Sequence, residues 1–220
     1  MGSGVIRDSG HGRKTMTGLV ITIMLAAILW TVMFSPWTAP HVDFWLMMTS
    51  SAVVLAVLSA VFNPGWWRNI RFSWSNILLG AVIAAALWGI FWLGDAISSR
   101  ILDFARPQVD AIYGIRGGVS PWLLSGLMLF LIGPAEEIFW RGYVQKTLSD
   151  RFGANAGFAA ATLLYALIHA GSCNFMLVMA ALVAGVVWGA LYRFFPDRFA
   201  AIILSHALWD AAVFIWFPIV

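Results

Sequence analysis

The sequence predicts an all-α fold: a polytopic membrane bundle of about seven transmembrane helices with one further amphipathic helix lying at the interface. Three observations predict it. Of 220 residues, 61% are hydrophobic and only 10% charged, with a mean hydropathy of +0.86, whereas charged residues make up about a quarter of a soluble domain. The apolar residues fall into runs of about 20, the length a helix needs to cross the hydrocarbon core. Turn signals such as Ser35-Pro36 and Asn63-Pro64-Gly65 separate the runs. Such spans fill the length and leave no water-soluble domain, so a polar tail, residues 1–16, is expected to precede a single membrane domain, residues 17–220.

The first span is read from Thr17 to Phe34. It is too long for a signal-peptide core, and Trp37 stands where a small residue would be needed for cleavage. Asp43 to Phe62 is the second span, followed by Trp66, Trp67, Arg68 and Arg71, a grouping that reads as an interfacial anchor. Asn76 to Leu93 is the third. From Asp95 to Arg106 charges alternate with Ile97, Ile101, Leu102 and Phe104, which predicts the interfacial helix, with Pro107 ending it. Ser120-Pro121 supplies an N-cap and first helical residue for the fourth span, which runs to about Leu148 with a kink at Gly133-Pro134. Ala154 to Ala170, Phe175 to Tyr192 and Ala200 to Phe217 complete the bundle. Gly185 and Gly189 mark a close packing seam on the sixth span.

With the N-terminus inside, the inner loops hold Arg7, Arg13, Lys14, Arg68, Arg71, Lys146, Arg151, Arg193 and Arg198, and the outer ones only Arg100, Arg106 and Arg116. The expectation is therefore a multi-pass protein of a prokaryotic cell membrane, N-terminus inside. The net charge of +3 includes no basic cluster, so no nucleic-acid partner is expected. A single cysteine, Cys173, excludes an internal disulfide and a cysteine-based zinc site.

Against this background the fourth span carries an anomaly, Gly-Pro-Ala-Glu-Glu-Ile-Phe-Trp-Arg from Gly133 to Arg141. A charge at the bilayer centre costs about 2.5–3.5 kcal/mol on insertion scales, so these side chains need partners or a water-filled cavity. At ~1.5 Å per residue, Glu136 and Glu137 lie roughly 17 Å from the inner end of their helix and Arg141 roughly 10 Å from it. His169 lies about 20 Å into the fifth span, and His206 and Asp210 about 10 and 15 Å into the seventh. Six ionisable side chains thus fall in one slab. Glu137 and Arg141 are four residues apart, as are His206 and Asp210, so each pair shares a helix face.

Carboxylate and imidazole converging on one water can remove its proton, and further donors can hold the oxyanion formed when that water attacks a carbonyl. Such hydrolysis needs no cofactor. The residues resemble the CAAX prenyl endopeptidase and bacteriocin-processing (CPBP) family of glutamic-type intramembrane proteases. Glu136-Glu137-Ile-Phe-Trp-Arg141 matches its EExxxR signature, Tyr165-Ala-Leu-Ile-His169 its FxxxH with tyrosine for phenylalanine, and His206-Ala-Leu-Trp-Asp210 its Hxxx(Asn/Asp). The likeness covers Pro121 to Phe217. It implies that Glu136 and His169 activate the water, that Glu137 and Arg141 support the site, and that His206 with residue 210 stabilises the oxyanion. An ionised aspartate has no proton to donate, so Asp210 is expected to orient His206.

Two other chemistries use the same residues: a zinc protease with His169, His206 and one Glu as ligands, although no HExxH is present, and a cysteine nucleophile at Cys173 beside His169. A scaffold or proton-coupled carrier that keeps the polar cluster without catalysis is the non-enzymatic alternative. The substrate implied by the resemblance is a membrane-associated or lipidated protein or peptide, met within the lipid bilayer.

Overall fold

The computed structural model describes residues 6–65 and 70–219, with side chains from Met16 onward. The tail residues 1–5 and the anchor expected at Trp66, Trp67 and Arg68 lie outside the described residues. Among the described residues there is no strand. Seven helices are long and apolar enough to cross a membrane. They are α1 (Ile6–Phe34), α2 (Phe44–Phe62), α3 (Trp74–Ile101), α5 (Pro121–Phe152), α6 (Ala154–Leu167), α7 (Phe175–Phe194) and α8 (Phe199–Ala211, extended by a π turn, Ala212–Trp216). The short α4 (Ala105–Gly114) lies between α3 and α5. The chain is thus an integral multi-pass membrane protein.

Side-chain oxygens start several spans. Asp43, Ser73 and Asn174 each accept from the backbone N–H three residues on, satisfying donors that a helix start leaves free. Ser120 occupies the N-cap position with Pro121 behind it, as expected, but its side chain makes no capping bond.

The first span, Met16–Phe34, lies where it was expected, on a helix already formed at Ile6. One expectation needs correction. The amphipathic helix is not at 95–106. Asp95 to Arg100 continue α3 to Ile101, and Pro107 lies in the first turn of α4, where its missing N–H leaves no bond unmade. The charge of Asp95 is met by Arg106, which folds back from α4 onto α3. The interfacial element therefore starts ten residues later than its charge pattern suggested.

Two apolar clusters hold the bundle. One joins α1, α2, α5 and α6 through Trp30, Leu55, Phe139, Trp140 and Tyr165. The other joins α3, α7 and α8 through Leu87, Trp188, Phe199 and Ile202. Val20, Met24, Leu46, Val82 and Phe130 point outwards, as lipid-facing residues do. Glycines set the closest approaches. Gly185 and Gly189 meet Thr162, Tyr165 and Phe158 on α6, which bears out the seam expected there. Gly133 leaves room for the backbone of α8: a Cβ there would lie 2.7 Å from Cα of Ala207.

Within α5, π-helical turns at Met128–Ile132 and Ile138–Gln145 flank the α-helical turn Gly133–Glu137. Pro134 removes one backbone donor and crowds the preceding turn, and wider winding relieves that crowding. Gly133-Pro134, where a kink was expected, is where this winding changes.

Candidate active site

The approach of Gly133 to Ala207 brings α5 against α8, and one turn further along α5 the polar side chains meet. Glu137 Oε1 accepts from Arg141 at 2.8 Å and from His206 Nδ1 at 2.7 Å. All three side chains are at most 3% exposed. The partner Oε2 of Glu137 is buried without a hydrogen bond. On its other edge, His206 places Nε2 3.4 Å from Asp210 Oδ2. His206 thus lies between two carboxylates. Its ring stacks on the indole of Trp188, with centroids 3.8 Å apart and planes at 16°. The Arg141 guanidinium covers Tyr165 at 4.8 Å and Trp188 at 5.5 Å. Trp188 is fixed in turn by donating to Ser205.

Glu136 points the other way. Its Oε2 accepts from the Tyr165 hydroxyl at 3.3 Å. His169, at the end of α6, contacts the carbonyl of Tyr165 through Nδ1 at 2.8 Å and accepts at Nε2 from the indole of Trp30 at 3.1 Å. Tyr165 therefore touches both Glu136 and His169.

Glu136, His169, His206 and Asp210 all line one cavity of about 530 Å³. Its walls are mainly apolar, including Phe34, Met48, Phe91 and Phe214. Glu137 and Arg141 are not among the lining residues. The six sequence-predicted residues thus divide into four that face the cavity and two that stand behind His206. Cys173 is exposed and belongs to neither group. Among the described residues no three His, Cys, Asp or Glu side chains are arranged to hold one metal ion.

Sequence reasoning missed Trp30 and Trp188. Trp188 carried a signal, since an indole N–H in mid-span needs a partner. Trp30, four residues from the end of its span, carried no such signal, because a tryptophan near a helix end is ordinary in a membrane span.

The fold and site define a multi-pass membrane protein with acidic and imidazole side chains gathered around one largely apolar cavity. Residues 118–212 match the family model for type II CAAX prenyl endopeptidase Rce1-like proteins. The matched stretch holds all three motifs, so the CPBP resemblance is borne out over that part of the chain, and the family it matches is one of proteases. No curated protein and no solved structure matches the chain.

Proposed function

We propose that the protein is a glutamic-type intramembrane endopeptidase that hydrolyses a peptide bond of a membrane-associated or lipidated protein or peptide, including at a C-terminal processing site. One observation carries this reading: Glu136, His169, His206 and Asp210 share a cavity, while Glu137 and Arg141 stand behind it.

Glu136 is the base. Glu137 Oε1 is already held by a guanidinium and an imidazole, whereas Glu136 receives only the Tyr165 hydroxyl, on Oε2. A water in the cavity gives a proton to the Glu136 carboxylate as its oxygen bonds to the substrate carbonyl carbon. The carbonyl oxygen becomes an oxyanion, and His206, protonated on both nitrogens between the Glu137 and Asp210 carboxylates, stabilises it through the N–H at Nε2. Collapse of the tetrahedral intermediate breaks the C–N bond, and the proton on Glu136 passes to the leaving nitrogen, yielding an acid and an amine. Glu137 positions His206 from behind through Nδ1, and Asp210 orients it from the cavity side. Arg141 neutralises Glu137. The apolar walls suit a substrate arriving from lipid, and the distribution of loop lysines and arginines supports an inside N-terminus.

Comparing the termini of membrane proteins in cells carrying the parent chain or Glu136→Gln tests this function. New, longer termini in the variant are expected. Identical termini would overturn the proposal.

A further inference from the structure

The two contacts of His169 together specify its protonation. The Tyr165 carbonyl, 2.8 Å from Nδ1, can only accept, so Nδ1 carries the hydrogen. The Trp30 indole, 3.1 Å from Nε2, can only donate, so Nε2 carries the lone pair. A second proton on the ring would set one N–H against another. Trp30 is 1% exposed and packed in the core of α1, α2, α5 and α6, so its indole is not free to swing aside.

We infer that Trp30 is a positioning residue: it holds His169 as a neutral, Nδ1-protonated imidazole, leaving the Glu136 carboxylate as the group that takes the proton from water. This rests on the protease reading above. A protonated His169 would put a positive charge on the cavity that Glu136 also lines and, by favouring the ionised carboxylate, would weaken it as a base. Trp30 prevents this by filling the nitrogen where the second proton would sit. It lies outside residues 118–212, so the first helix completes a site whose motifs are all elsewhere.

The test uses the full chain in nanodiscs with ¹⁵N-labelled histidine. Trp30 is replaced by phenylalanine and, separately, by 3-benzothienylalanine, which keeps the shape of the indole and lacks its N–H. In both variants the His169 Nε2 resonance should move towards that of a free acceptor nitrogen while Nδ1 stays protonated. With a quenched fluorescent peptide ending in a prenylated CAAX sequence as probe, kcat should fall about three- to tenfold, the loss of one hydrogen bond, with KM unchanged. An unmoved Nε2 resonance, or full kcat in the benzothienylalanine variant, would overturn the inference. Failure of the parent to cut the probe counts against the protease reading, and the resonance still decides the role of Trp30.

Discussion

Glu137 and Arg141 offer the sharpest energetic test, because their pairing is buried and shared with His206. Replacing Glu137 by Leu strands a guanidinium that is 3% exposed and removes the acceptor of His206 Nδ1. Removing one partner of such a pair costs about 3–5 kcal/mol. The rings of Tyr165 and Trp188 remain beneath Arg141 at 4.8 and 5.5 Å. A desolvated cation–π contact contributes about 2 kcal/mol, too little to offset the loss. The double change Glu137→Leu with Arg141→Met replaces both charges by apolar side chains, which is often neutral or better. Only the orphaned Nδ1 donor of His206 then remains, at about 1–3 kcal/mol. Reversible unfolding in mixed micelles, followed by tryptophan fluorescence, should therefore show a coupling of at least about 2 kcal/mol between the sites. Turnover should stay lost in the double variant, since His206 has lost its support. Two single variants that each cost under about 1 kcal/mol and add independently would refute the buried network as described.

Three further outcomes follow from the geometry. Glu136→Gln should abolish turnover with the thermal midpoint nearly unchanged, because a carboxamide keeps the contact with the Tyr165 hydroxyl but takes no proton from water; cleavage assays beside melting curves check this. Asp210→Asn should lower kcat about tenfold with KM unchanged if the carboxylate 3.4 Å from His206 Nε2 orients the ring, whereas retained or improved turnover would mean that a carboxamide at 210 donates to the oxyanion directly. Gly133→Ala should cost about 1–3 kcal/mol, the usual cost of overpacking, because its Cβ meets backbone atoms of Ala207 at 2.7 and 2.9 Å; activity should fall with the melting temperature, and a parental melting temperature would show that α5 and α8 are not held at this approach.

Much of this architecture was legible in the sequence for physical reasons. A membrane span must satisfy its backbone internally and face lipid, so the length and apolarity of each run announced it. Ionisable residues in those runs were conspicuous against a background that excludes them, and the four-residue spacings placed Glu137 with Arg141 and His206 with Asp210. Depth was legible but azimuth was not. The sequence could not tell that Glu137 turns to His206 while the adjacent Glu136 turns to Tyr165, because that depends on how α5 rotates against α8 and α6. The charges of 95–106 misled for a related reason: alternation was read as an interface pattern, when Asp95 lies within the last two turns of α3 and meets Arg106 on the next helix. Pairing between helices leaves no local periodicity.

The division of labour along the chain follows from the same packing. All three motifs lie in residues 118–212, and they supply the acid, the imidazoles and the arginine. The walls that a substrate side chain would meet come from both parts of the chain: Phe34 on α1, Met48 on α2 and Phe91 on α3 line the cavity together with Ile132 on α5 and Met176 and Val183 on α7. The proposed hydrolytic machinery is therefore written in the later helices, while the shape that receives the substrate is shared between the earlier helices and the later ones. Exchanging wall residues changes only apolar volume and leaves the Glu137 network untouched, since none of them bonds to it. Substrate preference can then vary through α1 to α4 while the hydrolytic chemistry stays fixed, and Trp30 is the point in that half where the two functions meet.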